Sequence, residues 1–223
     1  MDIIQLPDIW FHGTTEAESP TLASGIQVSF GREFTDFWQG FYVTSCPFQA
    51  FYWAQEKRNT YNERQRFRRT KIKGYKPEFT KALVIIYRLD KQKLFAFRGR
   101  IFAREPDADW GGFVYNNRNG LHVSAHYGRY KTYEFVEHNL DFTYDYVFGP
   151  LADGLPNFAE VSSLLRLKKI PFEDFVSAIS PRGVMKDQLS FHSDQAAICL
   201  TPLLEVNTDA EANQFLQEYR SAR

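Results

Sequence analysis

Three short segments carry side chains that could do chemistry: Phe11-His-Gly-Thr-Thr15, Asp36-Phe-Trp-Gln-Gly-Phe-Tyr-Val-Thr44 and Gln188-Leu-Ser-Phe-His192. Each is ordinary when taken alone. A histidine after an apolar strand is most often a satisfied core or surface histidine, and a tyrosine inside a strand usually packs. Their joint order sets them apart: an imidazole (His12), a phenol (Tyr42) and a side-chain amide (Gln188), in that sequence. A metal centre is not expected, because His122, His126, His138 and His192 show no ligand spacing with acids or cysteines. From Lys57 to Lys76 nine basic residues stand against the single acid Glu63, with Tyr61, Phe67 and Tyr75 interleaved. Such a run is either a solvated face or a surface that tracks phosphates and offers aromatic platforms to bases.

The order of these residues resembles the His–Tyr–[Glu/Asp/Gln] clade of ADP-ribosyltransferases, the group containing diphtheria toxin and the poly(ADP-ribose) polymerases. Its members carry a His-Gly-Ser/Thr strand end, a Gly-x-Gly-[Ile/Phe]-Tyr strand and a final strand bearing an acidic or amide residue. The chain is more similar still to a bacterial family of that superfamily, formerly of unknown function. That family reads His-Gly-[Ser/Thr], then Asp-Phe-Gly-Lys-Gly-Phe-Tyr-x-Thr, then Gln-Ala-x-x-Trp-Ala. The last element is here Gln49-Ala-Phe-Tyr-Trp-Ala54, and Trp110–Arg118, Tyr144–Asp153 and Gln188–Ser193 match further patterns. The similarity spans about residues 9 to 203. Trp38-Gln39 stands where the family has Gly-Lys, which predicts a differently shaped turn before Tyr42. The stretch at about 55–77 reads as a basic insertion relative to shorter members.

The resemblance implies an α+β fold, the ADP-ribosyltransferase-like split β-sandwich with peripheral helices, and NAD as co-substrate. Cleaving the nicotinamide–ribose bond passes through an oxocarbenium-like cation, as glycoside cleavage does. His12 would hydrogen-bond the adenosine-side ribose, with Gly13 and Thr14 lining the same strand end and the Gly13 backbone close to the nicotinamide carboxamide. Tyr42 would stack on the cationic nicotinamide ring. Trp53 would cover its other face, or else anchor the core. Gln188 would bond the nicotinamide ribose, supplying less electrostatic stabilisation than a glutamate because it has no charge. Asp187 would point to the opposite face of the strand. Asp145 and Asp153 would either shape a strand-ending turn or meet the acceptor, and Arg118 would pair a phosphate or one of those carboxylates. The function implied is mono-ADP-ribosyl transfer to a macromolecule by a bacterial toxin or defence effector, with an antitoxin as a possible partner. The alternatives are a catalytically silent module that binds NAD or nucleic acid, and an NAD glycohydrolase. The acceptor, protein or nucleic acid, stays open; Arg66, Arg68 and Arg69 would lie on its side.

The elements that must position these residues are legible as apolar runs between punctuation. Ile9–His12, Gly40–Thr44, Lys81–Leu89, Tyr144–Phe148 and Gln188–His192 read as strands, Leu94–Phe97 and Ile101–Phe102 as shorter ones. Pro20–Ser24, Asp109–Asn117, Phe158–Leu167 and Phe172–Ile179 read as helices. A further helix opens at Pro47, which suits a first turn. Asp194–Leu203 should pass from helix into a terminal strand, and a helical tail covers about 208–223. No linker or repeat divides the 223 residues, so one domain is expected. Twenty-seven basic residues balance 27 acidic ones, which excludes coating nucleic acid by bulk charge. The longest strongly apolar run, Ala82–Tyr87, is far short of a bilayer span. No secretory signal is visible, and Cys46 and Cys199 make no disulfide framework, so a cytoplasmic setting without membrane contact is expected.

Overall fold

A computed structural model describes residues 2–120, 137–153, 158–182, 186–207 and 209–221. The chain divides into two compact units, each assembled from separated stretches. The first comprises Met1–Leu6, Gln27–Tyr42 and Lys91–Cys199; the second comprises Pro7–Ile26, Val43–Asp90 and Leu200–Arg223.

In the second unit, β1 (Ile9–Thr15), β3 (Ala82–Leu89) and β7 (Leu200–Val206) form a sheet in the order β1-β3-β7, antiparallel throughout. Central β3 is buried at every position but Arg88, which is why it reads as an unbroken apolar run rather than an alternation. Ala82, Val84 and Ile86 alternate onto one face, where they meet Ile9, Phe11, Ala50 and Ala54. The last two come from α2 (Pro47–Lys71), which opens with proline in its first turn. The basic stretch from Lys57 is therefore no loop: it continues the same helix as far as Lys71. β7 is an edge strand, and Pro202 sits in it where a missing N–H is tolerated. Ile86 faces Leu204 while Tyr87 faces Pro202, so Leu203 is the extra residue of a bulge. α1 (Ser19–Ala23) and the tail helix α8 (Asp209–Ser221) complete this unit.

In the first unit, β2 (Phe41–Val43), whose last residue belongs to the second unit, β4 (Gly99–Ile101), β5 (Tyr146–Pro150) and β6 (Asp187–Phe191) make a sheet in the order β2-β6-β5-β4. β5 runs antiparallel to β6 and parallel to β4. The strand expected to stop before Gly149-Pro150 includes both residues; β4 pairs only as far as Phe148, so the proline removes no ladder bond. α4 (Ala108–Asn119) is capped by Asp107, which accepts from the Trp110 amide at 2.8 Å, and ends at Gly120 with φ 58°. Trp110 to Asn117 are all buried, so α4 packs on every side rather than on one face. α5 (Phe158–Arg166) and α6 (Phe172–Ile179) close this core with Val161, Leu165 and Phe175, and α7 is Asp194–Ala197. The strand expected at Leu94–Phe97 is instead the end of α3 (Lys91–Leu94) and a turn. Of its apolar residues Leu94 is buried, but Phe95 is 56% exposed, so no strand face is formed. The molecule is thus α+β, as expected, and its strands form two sheets.

Candidate functional site

The sequence-predicted residues fall into both units, and each group is held locally. In the second unit, Gly13 faces Val84 across the sheet, and α2 crosses directly over it. A Cβ at position 13 would lie 2.0 Å from the Ala50 carbonyl oxygen and 2.8 Å from the Ala54 nitrogen. Glycine is required there so that helix backbone can approach strand backbone. Thr14 is buried, and its hydroxyl donates to Glu18 at 2.8 Å. His12 is half-buried, with Nε2 3.5 Å from Lys57 Nζ; Lys57 also lies 3.8 Å from Glu18. Trp53 is 44% exposed, with its ring edge-on to Tyr52 at 5.5 Å. That exposure overturns the reading of Trp53 as a core anchor; Ala50 and Ala54 fill that place.

In the first unit the informative group is a buried carboxylate. Asp36, from the segment leading into β2, accepts at Oδ1 from Arg118 Nε at 2.5 Å. Its Oδ2 accepts from the Ala152 amide at 2.8 Å and from Gln188 Nε2 at 2.5 Å. Arg118 also donates to the Ala152 carbonyl at 2.9 Å and lies 4.6 Å over the Phe158 ring. Arg118 therefore pairs with neither Asp145 nor Asp153. Gln188 Nε2 has a second acceptor, the Pro150 carbonyl at 3.2 Å. Two acceptors on one side admit only one orientation of the amide, nitrogen toward them. Oε1 then points elsewhere and makes no hydrogen bond among the described residues. Asp187, one residue earlier on β6, points to the other face of the strand and lies 3.9 Å from Arg104.

Tyr42 is anchored at its tip. Its hydroxyl donates to the Trp38 carbonyl at 2.6 Å and accepts from the Phe37 amide at 3.1 Å, with Thr35 Oγ1 2.7 Å away. Burial pushes the phenol well above its ordinary range, so Tyr42 is a neutral hydrogen-bonding group. Its ring stacks on Phe37 at 6.4 Å and meets His192 edge-on at 6.3 Å. The turn it closes carries Trp38 at φ 77°, a left-handed backbone that favours glycine. The Trp38 ring is buried and packs edge-on against Phe34 at 5.1 Å. His192 Nδ1 bonds the Gln39 carbonyl at 2.8 Å, and its Nε2 bonds the Ser190 hydroxyl at 2.8 Å. Burial lowers His192 to about 4, so it is a neutral brace of this turn.

Asp145 and Asp153 have structural partners. Asp145 accepts from the Arg98 amide at 3.0 Å, and Asp153 pairs with Lys186. Arg66, Arg68 and Arg69 are exposed on α2. His122 and His126 lie outside the described residues; among those described, no group of three or more His, Cys, Asp or Glu is arranged to hold a metal ion. Nor is any described helix long and apolar enough to cross a membrane. Sequence reasoning missed Asp36, Lys57 and the Ser190–His192 brace. Asp36 opens the quoted Asp36–Thr44 motif, and that position was the available signal.

The fold and these clusters define an α+β protein in which buried Asp36, paired with half-buried Arg118, orients the Gln188 amide of a strand. The chain belongs to the family described as proteins of unknown function, DUF3990, whose model matches residues 9–201. Comparison with curated proteins and with solved structures returns no significant match.

Proposed function

We propose that the chain is an ADP-ribosyltransferase that cleaves NAD and transfers single ADP-ribose units to a macromolecule, as an effector of toxin or defence type, on a split β-sandwich of the ADP-ribosyltransferase kind. The observation that carries the reading is the orientation of Gln188. An acceptor oxygen fixed in direction is what a ribose hydroxyl needs, and Asp36 fixes it by occupying the nitrogen side. Asp36 also answers the missing charge: a carboxylate 2.5 Å behind the amide polarises Oε1 toward a developing cation, although Arg118 offsets part of it. Tyr42, tied down at its hydroxyl, would offer its ring to the nicotinamide. His12, beside Lys57, would hydrogen-bond a ribose oxygen. Trp53 is exposed enough to meet a ligand.

The test is release of nicotinamide from labelled NAD by the full chain, with and without cell lysate. Release that depends on lysate, with label on a macromolecule, is the expected result. Release in buffer with no labelled acceptor would make the protein a glycohydrolase, and no release at all would make it a silent module.

A further inference from the structure

The chain has no net charge, yet its exposed cations are not evenly spread. Along α2, Trp53, Lys57, Arg64, Arg68 and Lys71 follow one another at spacings of four, seven, four and three residues, which keeps them on one stripe of the helix. Glu56 and Glu63 fall off that stripe. At about 1.5 Å per residue, Lys57 to Lys71 spans about 21 Å. Arg64, Arg68 and Lys71 are exposed and form no ion pair among the described residues. Exposed aromatic rings accompany them: Phe67 at 63% and Trp53 at 44%, with Lys71 5.6 Å over the first. The stripe does not end at random, since Lys57 reaches His12.

We propose that this face of α2 binds single-stranded nucleic acid along the Lys57–Lys71 stripe, with the strand leading toward His12. Charge complementarity selects a polyanion. The rings select among polyanions: an acidic polypeptide has no use for them, and paired bases hide their faces, whereas unpaired bases stack on them. A strand held in this way would be the acceptor of ADP-ribose, and that part alone rests on the proposed transferase reading.

The binding is tested without NAD, so its outcome is separate from that of the activity assay. Labelled oligothymidylate and oligouridylate of about 20 nucleotides are titrated with the full chain at several salt concentrations, followed by anisotropy. Three or four phosphate contacts predict a log–log salt slope of about −2 to −3. Arg64→Glu/Arg68→Glu/Lys71→Glu should weaken binding more than tenfold and flatten the slope by about 2. Phe67→Ala should weaken it about fivefold or more with the slope unchanged. Circular dichroism confirms folding, and the triple glutamine variant replaces the reversal if that one unfolds. Equal competition by duplex or polyglutamate, absence of binding at low salt, or unchanged affinity in the triple variants would each overturn the proposal.

Discussion

Gln188 and Asp36 set the first expectation at the scale of single residues. The resemblance to polymerases suggests that Gln188→Glu should raise activity by adding charge. The structure argues the reverse: a glutamate would place its carboxylate against Asp36, where Gln188 now donates at 2.5 Å, and two such groups cannot both ionise. Gln188→Glu should therefore lower both melting temperature and nicotinamide release, most strongly at high pH, while Gln188→Ala loses release with little change in KM. A glutamate variant more active than wild type would refute this account of the amide. Tyr42 separates into tip and ring in the same way. Tyr42→Phe strands the Phe37 amide, while the Trp38 carbonyl keeps the Thr35 hydroxyl, costing about 1–3 kcal/mol in urea unfolding, but leaves a ring to stack. Tyr42→Ala removes the ring as well, and turnover should fall by about one to two orders of magnitude. Equal activity in the two variants would mean the ring does not touch the substrate.

At the scale of elements, one backbone approach and one left-handed backbone position govern stability. Gly13→Ala drives a methyl into the Ala50 carbonyl, an atom that cannot swing aside, so α2 must lift from β1. The expected loss is about 1–3 kcal/mol by denaturant unfolding. A neutral effect would place the helix farther from the strand than described here. Position 38 tests the opposite balance. Trp38→Gly relieves a left-handed backbone at φ 77°, but empties a buried indole site, and the cavity should dominate by about 2 kcal/mol or more. The same measurement decides it: a stabilised Trp38→Gly chain would show that strain outweighs packing in this turn.

At the scale of the whole molecule, His192 couples folding to pH. Burial lowers it from the ordinary 6.5 to about 4, so between these values the unfolded chain binds the proton and the folded chain does not. Its contribution is fully present above about pH 6.5 and is lost as pH falls toward 4, by about 3 kcal/mol in all. Urea unfolding at pH 7 and at about pH 4.5 should show wild type losing more stability than His192→Gln, in which carboxylates common to both cancel. Parallel losses in the two chains would remove His192 as a source of acid sensitivity.

Most elements were legible in the sequence because they are marked locally. The strand read at Lys81–Leu89 is apolar and β-branched, and Pro47 opens a helix, both through neighbours in the chain. The joint order of His12, Tyr42 and Gln188 was legible for the same reason, as a pattern of types along one dimension. The errors arose where local pattern and tertiary burial disagree: Leu94–Phe97 looks like a strand, but only Leu94 finds a core. What no local pattern could supply was partnership across the chain. Asp36 and Gln188 are 152 positions apart and Arg118 is 82 from Asp36, so that network exists only once the sheet and α4 are packed. The reason is physical: a side chain's type is written at its own position, but the direction of an amide, the tautomer of an imidazole and the room for a glycine depend on atoms brought near it only by the fold.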